Sequence, residues 1–240
     1  MTLPQILIPT AVAAAGASTF AAYAGLSYTS QIFGRTLVAP PLPHQIALTF
    51  DDGPNPSATP QLLEVLARHN VRATFFLIGD FVLSQPALAR EVLAGGHTIG
   101  NHTMHHPWLA RHSEATIREE LRDCNRALED TLGAPVKLFR PPHGARRPAV
   151  LRIARELGLK TVQWNVMVGD WLPRSAENLL PRLERGIASN QRHGRGSNIV
   201  LHDGSQHGLG APRMPSVGAV ALLLSRLPKE TAIVTPPHWR

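Results

Sequence analysis

Intramolecular disulfide bonds are excluded, because the 240 residues of this chain contain a single cysteine, Cys124. This absence leaves the cellular compartment open, since an exported protein need not carry a disulfide. Cys124 lies in a stretch with amphipathic helical spacing, where a small buried core residue is the expected role. The hydrophobic content of 43% is ordinary for a globular protein and sufficient to form a core.

Lysine is also scarce, and arginine supplies most of the positive charge behind the formal net charge of +7. The sequence has no basic block and no alternation of basic with aromatic residues, so nucleic acid is not expected as a partner. The positive charge has two interpretations. It can attract the protein diffusely to anionic surfaces such as cell-wall polymers or lipid head groups, or it can reflect a proteome whose proteins are basic on average. The lysines are Lys137, Lys160 and Lys229.

Charged side chains are missing from residues 1–34. Residues 6–28 are rich in small residues and typical of the apolar core of a secretory signal, with a cleavage site at residues 22–24, although the basic n-region is missing. The length is near the ~20 residues that span a bilayer, whereas Pro9 argues against a strong anchor. We expect residues 1–35 to be a signal or membrane tether. The protein would then be exported or held on the outer side of the cytoplasmic membrane, with a misassigned start codon and a cytoplasmic location as alternatives.

The rest of the chain alternates between strand and helix patterns. After a proline-rich linker over residues 36–43, we predict a single α/β domain over residues 44–240. About seven βα units indicate a parallel sheet with right-handed crossovers. A Gly-rich dinucleotide fingerprint is missing, which favours a (β/α) barrel over an open Rossmann sheet. The pattern includes a helix over residues 81–94, a strand over residues 160–166 and a helix capped by Ser57.

Two adjacent carboxylates, Asp51 and Asp52, follow the first buried strand of this domain. The apolar run of residues 46–48 leads into residues 49–54, Thr-Phe-Asp-Asp-Gly-Pro. Neighbouring residues of a regular strand point to opposite faces, so both acids serve one site only if the strand breaks there, as the Gly-Pro pair indicates. α/β proteins place catalytic groups at the carboxyl ends of buried strands, which favours a catalytic role over a solvated acidic turn.

Two histidines after a later strand have the spacing of metal ligands. His102 and His106 are four residues apart, and on a helical turn this spacing puts both imidazoles on one face. With Asp52 they would form a His-His-Asp set that leaves positions for water and substrate. The alternative is a surface loop that is rich in histidine. His105 is out of phase with the pair and is expected to be a bystander.

Three further polar clusters fall at strand ends. In the first, two prolines after Arg140 rigidify the backbone, so that the following amide, at His143, can be aimed as a donor, and Arg140 can pair with a carboxylate. The second cluster contains Asp170 and Trp171. The third is a buried strand with His202 at its tip, where a histidine can act as an acid near neutral pH.

The five clusters, in this order and spacing, resemble the polysaccharide deacetylase family, carbohydrate esterase family 4, with its NodB homology domain. The resemblance covers about residues 44–236 and rests on Thr-Phe-Asp-Asp-Gly-Pro, His-Thr-x-x-His, Arg-Pro-Pro-x-Gly, Asp-Trp and Leu-His. It implies a distorted (β/α) barrel and a divalent metal, commonly zinc and sometimes cobalt or another transition metal. The implied reaction removes N-acetyl groups from glycans that contain N-acetylglucosamine, such as peptidoglycan, chitin-type oligomers or exopolysaccharide.

The resemblance also implies a role for each residue that takes part in the reaction. Metal-activated water attacks the acetyl carbon, and a base and an acid move the protons. The metal ligands are implied at Asp52, His102 and His106, the catalytic base at Asp51 and the general acid at His202.

The remaining matches imply groups that orient the reaction or hold the sugar. Arg140 matches the arginine that holds the base. The backbone N–H of His143, beside Pro142, falls where the family places an oxyanion donor. Trp171 and Leu201 match apolar walls of the sugar pocket.

Two positions depart from the family pattern. His143 stands where the family often has tyrosine, which makes the pocket wall more polar. Met167 stands where an aspartate often supports the acid histidine. Either Asp170 or another acid therefore supports His202, or the pKa of His202 is lower than in the family.

Three functions remain possible on the sequence alone. Deacetylation of a glycan is the working hypothesis. The second is the same chemistry on a lipid-linked aminosugar or a non-sugar amide, which the apolar N-terminus and Met167 mildly favour. The third, a catalytically silent glycan-binding barrel, is the least expected because every implied ligand, base and acid is present. The sequence leaves the oligomeric state open.

Overall fold

The computed structural model describes residues 23–236 and 239. The strands are β1 (Gln45–Gly53), β2 (Thr74–Leu77), β3 (Thr98–Asn101), β4 (Leu138–Phe139), β5 (Lys160–Thr161), β6 (Val166–Met167), β7 (Ser197–His202) and β8 (Ala232–Ile233). The α-helices with both ends described are α1 (Thr59–Arg68), α2 (Gly79–Ser84), α3 (Pro86–Ala94), α4 (Glu114–Leu132), α5 (Pro148–Glu156), α6 (Ala176–Arg192) and α7 (Met214–Arg226). Residues 23–26 are also helical. Short 3-10 helices lie at Leu109–Arg111 and Pro142–Gly144.

The eight strands form one sheet whose pairs are all parallel. Their order is β5-β4-β3-β2-β1-β7-β6, and β8 pairs with the start of β1. Helices α1, α6 and α7 pack against β1, β2 and β7 in the main hydrophobic cluster. The predicted single α/β domain with a distorted (β/α) barrel is therefore confirmed.

The central strand, β1, separates the core from the site. Ile46, Leu48 and Phe50 alternate along the strand and join the main hydrophobic cluster. Thr49 and Asp51 lie on the other face, where both accept hydrogen bonds from the guanidinium group of Arg140. The alternation of side chains along this strand thus assigns one face to helix packing and the other to polar chemistry.

Two helix predictions are corrected by the structure. The helix predicted over residues 81–94 is divided into α2 and α3, because Pro86 has no backbone N–H to continue the first helix and instead begins the second. Ser57 does not cap α1, whose N-cap residue is Ala58 without a side-chain hydrogen bond. By contrast Ser113 caps α4 by accepting a hydrogen bond from the N–H of Thr116.

The strand predicted over residues 160–166 is also divided, into β5 and β6. The chain between them changes partners. The N–H of Gln163 donates to Leu37 O at 2.7 Å, and the N–H of Asn165 donates to Asn198 O at 3.2 Å. Residues 162–165 therefore carry the chain from β5 at one end of the strand order to β6 at the other.

The folded unit extends to the N-terminal side of residue 44, where the sequence predicted the domain to start. Ala24 is fully buried, and Leu37 forms a parallel bridge with Val162. Residues 1–22, most of the predicted signal segment, lie outside the described residues. Within the described residues, no helix is long and apolar enough to cross a membrane.

Candidate active site

The carboxyl ends of four parallel strands meet at one edge of the sheet and carry the polar clusters. Asp51 and Asp52 end β1, His102 follows β3, Arg140 follows β4, and His202 ends β7. Asp51 and His202 are direct partners in the register of β1 and β7. Clusters that are far apart in the sequence therefore share one site, as expected for the carboxyl edge of a parallel barrel.

A break in β1 at Asp52 directs both acids to this site. The register with β2 shifts between Asp51 and Gly53, and Asp52 has a left-handed backbone with a φ of 71°. The predicted break therefore occurs at Asp52, just before the Gly-Pro pair. Both acids are buried, with exposed fractions of 4% for Asp51 and 6% for Asp52.

Asp52, His102 and His106 converge on one point. One ligand atom of each residue lies within 4.8 Å of the others. The Nε2 atoms of His102 and His106 lie 3.3 Å and 3.2 Å from Asp52 Oδ1. His102 Nδ1 lies 2.8 Å from Arg140 O, so it carries the proton that this carbonyl accepts. The lone pair of His102 Nε2 therefore faces Asp52.

The chemistry of these donors fits a divalent cation. Within residues 23–236 and 239, Asp52 Oδ1 has no hydrogen-bond donor. Burial acts to raise the pKa of Asp52, but the rings of His102 and His106 and the charge of His202 hold it well below its ordinary value. A buried carboxylate that faces the lone pair of His102 requires a cation for compensation. Three protein ligands with further positions free are typical of catalytic metal sites.

Left-handed backbone angles cluster around the histidines. The angle φ is 71° at Asp52, 69° at Thr103, 60° at His106 and 58° at His143. Each such non-glycine residue costs on the order of 1–3 kcal/mol and persists only where its surroundings hold it. Asn101 Oδ1 accepts the Thr103 N–H at 2.8 Å, and Thr103 Oγ1 accepts the His106 N–H at 3.0 Å. A strained loop therefore presents the histidine pair, instead of the helical turn that the spacing predicted.

Arg140 is fully buried and holds Asp51. Its Nη1 donates to Asp51 Oδ1 at 2.7 Å and to Thr49 Oγ1 at 2.8 Å, while Nη2 donates to Gln163 O at 3.1 Å. The other carboxylate oxygen, Asp51 Oδ2, lies 3.9 Å from His102 Nε2. The predicted pairing of Arg140 with a carboxylate is present. It leaves one oxygen of Asp51 directed to the metal-binding side chains.

The turn after Arg140 brings His143 to the wall of the site. Its ring stacks on Trp108 with centroids 4.1 Å apart and meets His106 edge-on at 4.8 Å. Burial is the main cause that lowers the pKa of His143 to about 4. The residue that stands in place of the family's tyrosine is therefore an uncharged aromatic ring at neutral pH. The role of its backbone N–H as an oxyanion donor stays a prediction.

Asp170 is the carboxylate partner of His202. Its Oδ1 lies 2.9 Å from His202 Nδ1, and its Oδ2 accepts the His202 backbone N–H at 2.7 Å. Burial acts to lower the pKa of His202, but Asp170, with smaller contributions from Asp52 and Asp51, raises it to about 9. His202 is therefore protonated at neutral pH. Of the alternatives that the sequence left open, the structure selects Asp170.

A cavity of about 520 Å³ lies over these groups, within the range of small-molecule sites. Trp171 lines it and meets the ring of His202 edge-on at 5.3 Å, in the predicted wall position. The prediction for Leu201 is wrong, because this side chain is fully buried in the main core cluster. Val200 lines the cavity instead, since residues two apart in a strand share a face. Pro142 is buried and does not line the cavity.

Comparison with known proteins identifies the family. Residues 39–162, more than half of the chain, match the family model described as polysaccharide deacetylase. This chain belongs to the polysaccharide deacetylase family. The matched residues include both acids of β1, the histidine pair and Arg140, whereas Asp170 and His202 lie beyond the match.

Individual members of the polysaccharide deacetylase family are similar over most of the chain. The peptidoglycan-N-acetylglucosamine deacetylase of Bacillus cereus is 37% identical over 187 residues, which are 77% of this chain and 82% of the relative. The chitooligosaccharide deacetylase of Azorhizobium caulinodans is 39% identical over 160 residues, which are 66% of this chain and 73% of the relative. The crystal structure of a peptidoglycan N-acetylglucosamine deacetylase has a TM-score of 0.77 at 32% identity and covers 85% of this chain and 91% of that chain.

The sequence analysis did not identify two side chains that support the deacetylase site. Ser216, on α7, donates to Asp170 Oδ2 at 2.7 Å. Arg146 is buried and donates to Gly144 O at 3.0 Å, beside the turn that carries His143. These contacts join segments that are distant in the chain, and nothing in the local sequence marks either residue. Only a three-dimensional arrangement could reveal them.

We expect Asp170→Asn to move the alkaline limb of the deacetylase's pH–rate profile to lower pH by about one to two units. The acid is active while His202 is protonated, and activity is lost as pH rises through its pKa. Because the charge of Asp170 raises that pKa, the substitution lets His202 lose its proton at lower pH. The measurement is kcat/KM as a function of pH.

Met167→Asp is the matched comparison for this experiment. Met167 lies on the cavity wall, where the family often has an aspartate, but Asp170 already occupies the Nδ1 position of His202. We therefore expect the added carboxylate to leave the alkaline limb nearly in place. A clear upward shift from Met167→Asp together with no shift from Asp170→Asn would contradict the assignment of Asp170.

Proposed function

We propose that this chain is a metal-dependent hydrolase that removes N-acetyl groups from glycans containing N-acetylglucosamine, such as peptidoglycan or chitin-type oligomers. The observation that carries the proposal is the arrangement around one cavity. The His-His-Asp set lines the same cavity as Asp51, which Arg140 holds, and His202, which Asp170 holds. The family and the activities named for its similar members support the same reaction.

Asp52, His102 and His106 would hold the cation. When bound, a divalent cation there supplies a Lewis acid for the acetyl carbonyl and lowers the pKa of water. Asp51 accepts the proton of the attacking water through Oδ2, because Arg140 occupies Oδ1 and fixes the orientation of the carboxylate. The two neighbouring acids therefore have different roles: Asp51 accepts a proton, and Asp52 holds the cation.

His202 serves the leaving amine. His202 is charged at neutral pH and donates its proton to the amine nitrogen as the C–N bond breaks, which gives acetate and a free amino sugar. The N–H of His143 provides a donor for the negative charge that develops on the acetyl oxygen. The neutral ring of His143 and the stacked Trp108 form an aromatic wall beside it.

Zinc is the cation that we propose. Two imidazole nitrogens and one carboxylate oxygen are typical ligands of catalytic zinc, whereas magnesium and calcium prefer oxygen ligands alone. Cobalt or another transition metal accepts the same donors. Metal content after purification, measured by elemental analysis, tests this choice, and magnesium or calcium as the tightly bound metal would contradict it.

Acetate release from N-acetylglucosamine oligomers tests the function. The full chain is stripped of metal, reloaded with zinc or cobalt, and compared with the stripped protein. Release that requires the metal supports the proposal. No release with one metal bound per chain would direct attention to lipid-linked aminosugars or non-sugar amides. No release and no bound metal would favour the silent glycan-binding barrel.

We propose that the protein acts outside the cytoplasm or at the outer side of the cytoplasmic membrane. The absence of charged side chains from residues 1–34 and the peptidoglycan substrate named for a similar protein support this location. Fractionation of cells that express the full chain tests it, and recovery of the protein only in the cytoplasm would contradict it.

A further inference from the structure

The wall of the cavity includes two side chains from the N-terminal side of the family match. Leu26 and Tyr28 line the cavity together with the metal-binding residues, although the match to the family begins at residue 39. Leu26 is 52% exposed and Tyr28 is half-buried. We call residues 24–30 the N-terminal strap. Its two apolar side chains face the space in which a substrate would lie.

A buried arginine fastens the strap to the barrel. The Arg146 side chain is only 2% exposed, and its Nη2 donates to Ser27 O and to Ser30 O, both at 2.8 Å. The backbone N–H of Arg146 donates to Gly25 O at 3.0 Å. A charged side chain is buried only where its donors are satisfied, and here main-chain carbonyls of the strap satisfy them. The strap is therefore a built part of the fold.

The same arginine connects the strap to the catalytic turn. Arg146 Nη1 donates to Gly144 O at 3.0 Å, next to His143. The ring of Tyr28 stacks on Trp164 with centroids 5.5 Å apart and planes inclined by 22°. Trp164 packs directly against Gly144, where an added Cβ would approach the indole to 2.7 Å. Strap, indole and turn thus form one packed unit.

We propose that the N-terminal strap is a glycan-binding wall, in which Tyr28 and Leu26 contact the sugar chain bound in the cavity. This inference rests on the proposed function, since it assigns an additional contact surface to the same site. The C–H groups of a pyranose ring give it an apolar face, which packs on aromatic and aliphatic side chains. Trp108 and Trp171, which also line the cavity, supply further aromatic surfaces.

The experiment compares Tyr28→Ala with Tyr28→Phe and with the matched control Tyr23→Ala, all in the full chain. Tyr23 immediately precedes the strap, but it is 57% exposed and does not line the cavity. Two experiments use tetra-N-acetylchitotetraose as the probe. Titration calorimetry gives the Kd for the metal-free chain, and acetate release by the zinc-loaded chain gives KM and kcat.

We expect Tyr28→Ala to raise Kd and KM by about three- to tenfold, with a smaller change in kcat. Tyr28→Phe retains the ring and should restore most of the affinity. Tyr23→Ala should behave as the unsubstituted chain. This division between KM and kcat separates a contact with the glycan from a structural effect on the catalytic turn, which would lower kcat instead.

Three outcomes would overturn the inference. The first is an unchanged Kd for Tyr28→Ala. The second is a loss confined to kcat. The third is a failure of the unsubstituted chain to bind the tetramer. If the unsubstituted chain binds the tetramer but releases no acetate, the proposed function fails, while the Kd values still decide whether the strap contacts the glycan.

Discussion

Asp51→Asn is expected to reduce the turnover of metal-loaded enzyme by about 10²- to 10⁴-fold, which is the usual contribution of a general base. The amide has the shape of the carboxylate and its oxygen still accepts a hydrogen bond from Arg140, but it cannot take a proton from water. The metal-binding side chains of Asp52, His102 and His106 are unchanged. Metal content should therefore stay near that of the unsubstituted chain.

The measurement for this variant combines acetate release with metal content in the same preparation. Asp123→Asn serves as the matched control, because Asp123 forms a surface ion pair with Arg122 at 3.0 Å and lies on α4. Turnover of Asp51→Asn within about tenfold of the control would remove Asp51 as the base. Loss of metal from Asp51→Asn would instead show that both acids of β1 hold the cation.

His106→Ala is expected to lower metal affinity by at least about 100-fold and to bring acetate release below detection. Replacement of residues that only orient metal ligands already costs about 10- to 100-fold, and a ligand contributes more. The side chain of His106 offers one of three candidate ligand atoms, and its Nε2 lies 3.2 Å from Asp52 Oδ1. Alanine leaves the buried carboxylate with a single imidazole beside it.

The neighbouring histidine gives a control for this substitution. His105 is exposed, and its Nδ1 lies 2.8 Å from Glu120 Oε1, on α4. His105→Ala should therefore retain metal and activity. Metal stoichiometry by elemental analysis, after dialysis against a chelator of known affinity, compares the two variants. Equal metal retention in both would show that His106 is not a ligand.

Most of the catalytic positions could be predicted because each chemical group lies at a strand end. In a parallel barrel the carboxyl ends of the strands share one edge, so Asp51, His102, Arg140 and His202 converge whatever the lengths of the helices between them. Apolar runs that end in polar residues located the ends of β1 and β7. The family resemblance then supplied the candidate roles.

Two features of the site differ from the predictions because they depend on local backbone geometry, which patterns of residue type and spacing do not encode. Leu201 and Val200 are both apolar neighbours of His202, and only the observed face of β7 separates the core residue from the cavity residue. The spacing of His102 and His106 predicted a helical turn, whereas the structure has a loop with left-handed residues. In each case the direction of the side chain depended on backbone angles that the spacing does not determine.

Barrel class, family and reacting groups follow from the amino-acid sequence alone, because hydrophobic periodicity and the order of polar motifs are local properties of the chain. Only the folded molecule shows three further features. These are the partner of His202, the residue of β7 that lines the cavity wall, and the position of the N-terminal strap. Asp170 meets His202 across 32 positions, and Arg146 meets Ser30 across 116 positions. Such contacts form only when the barrel brings distant segments together, and no spacing in the sequence records them.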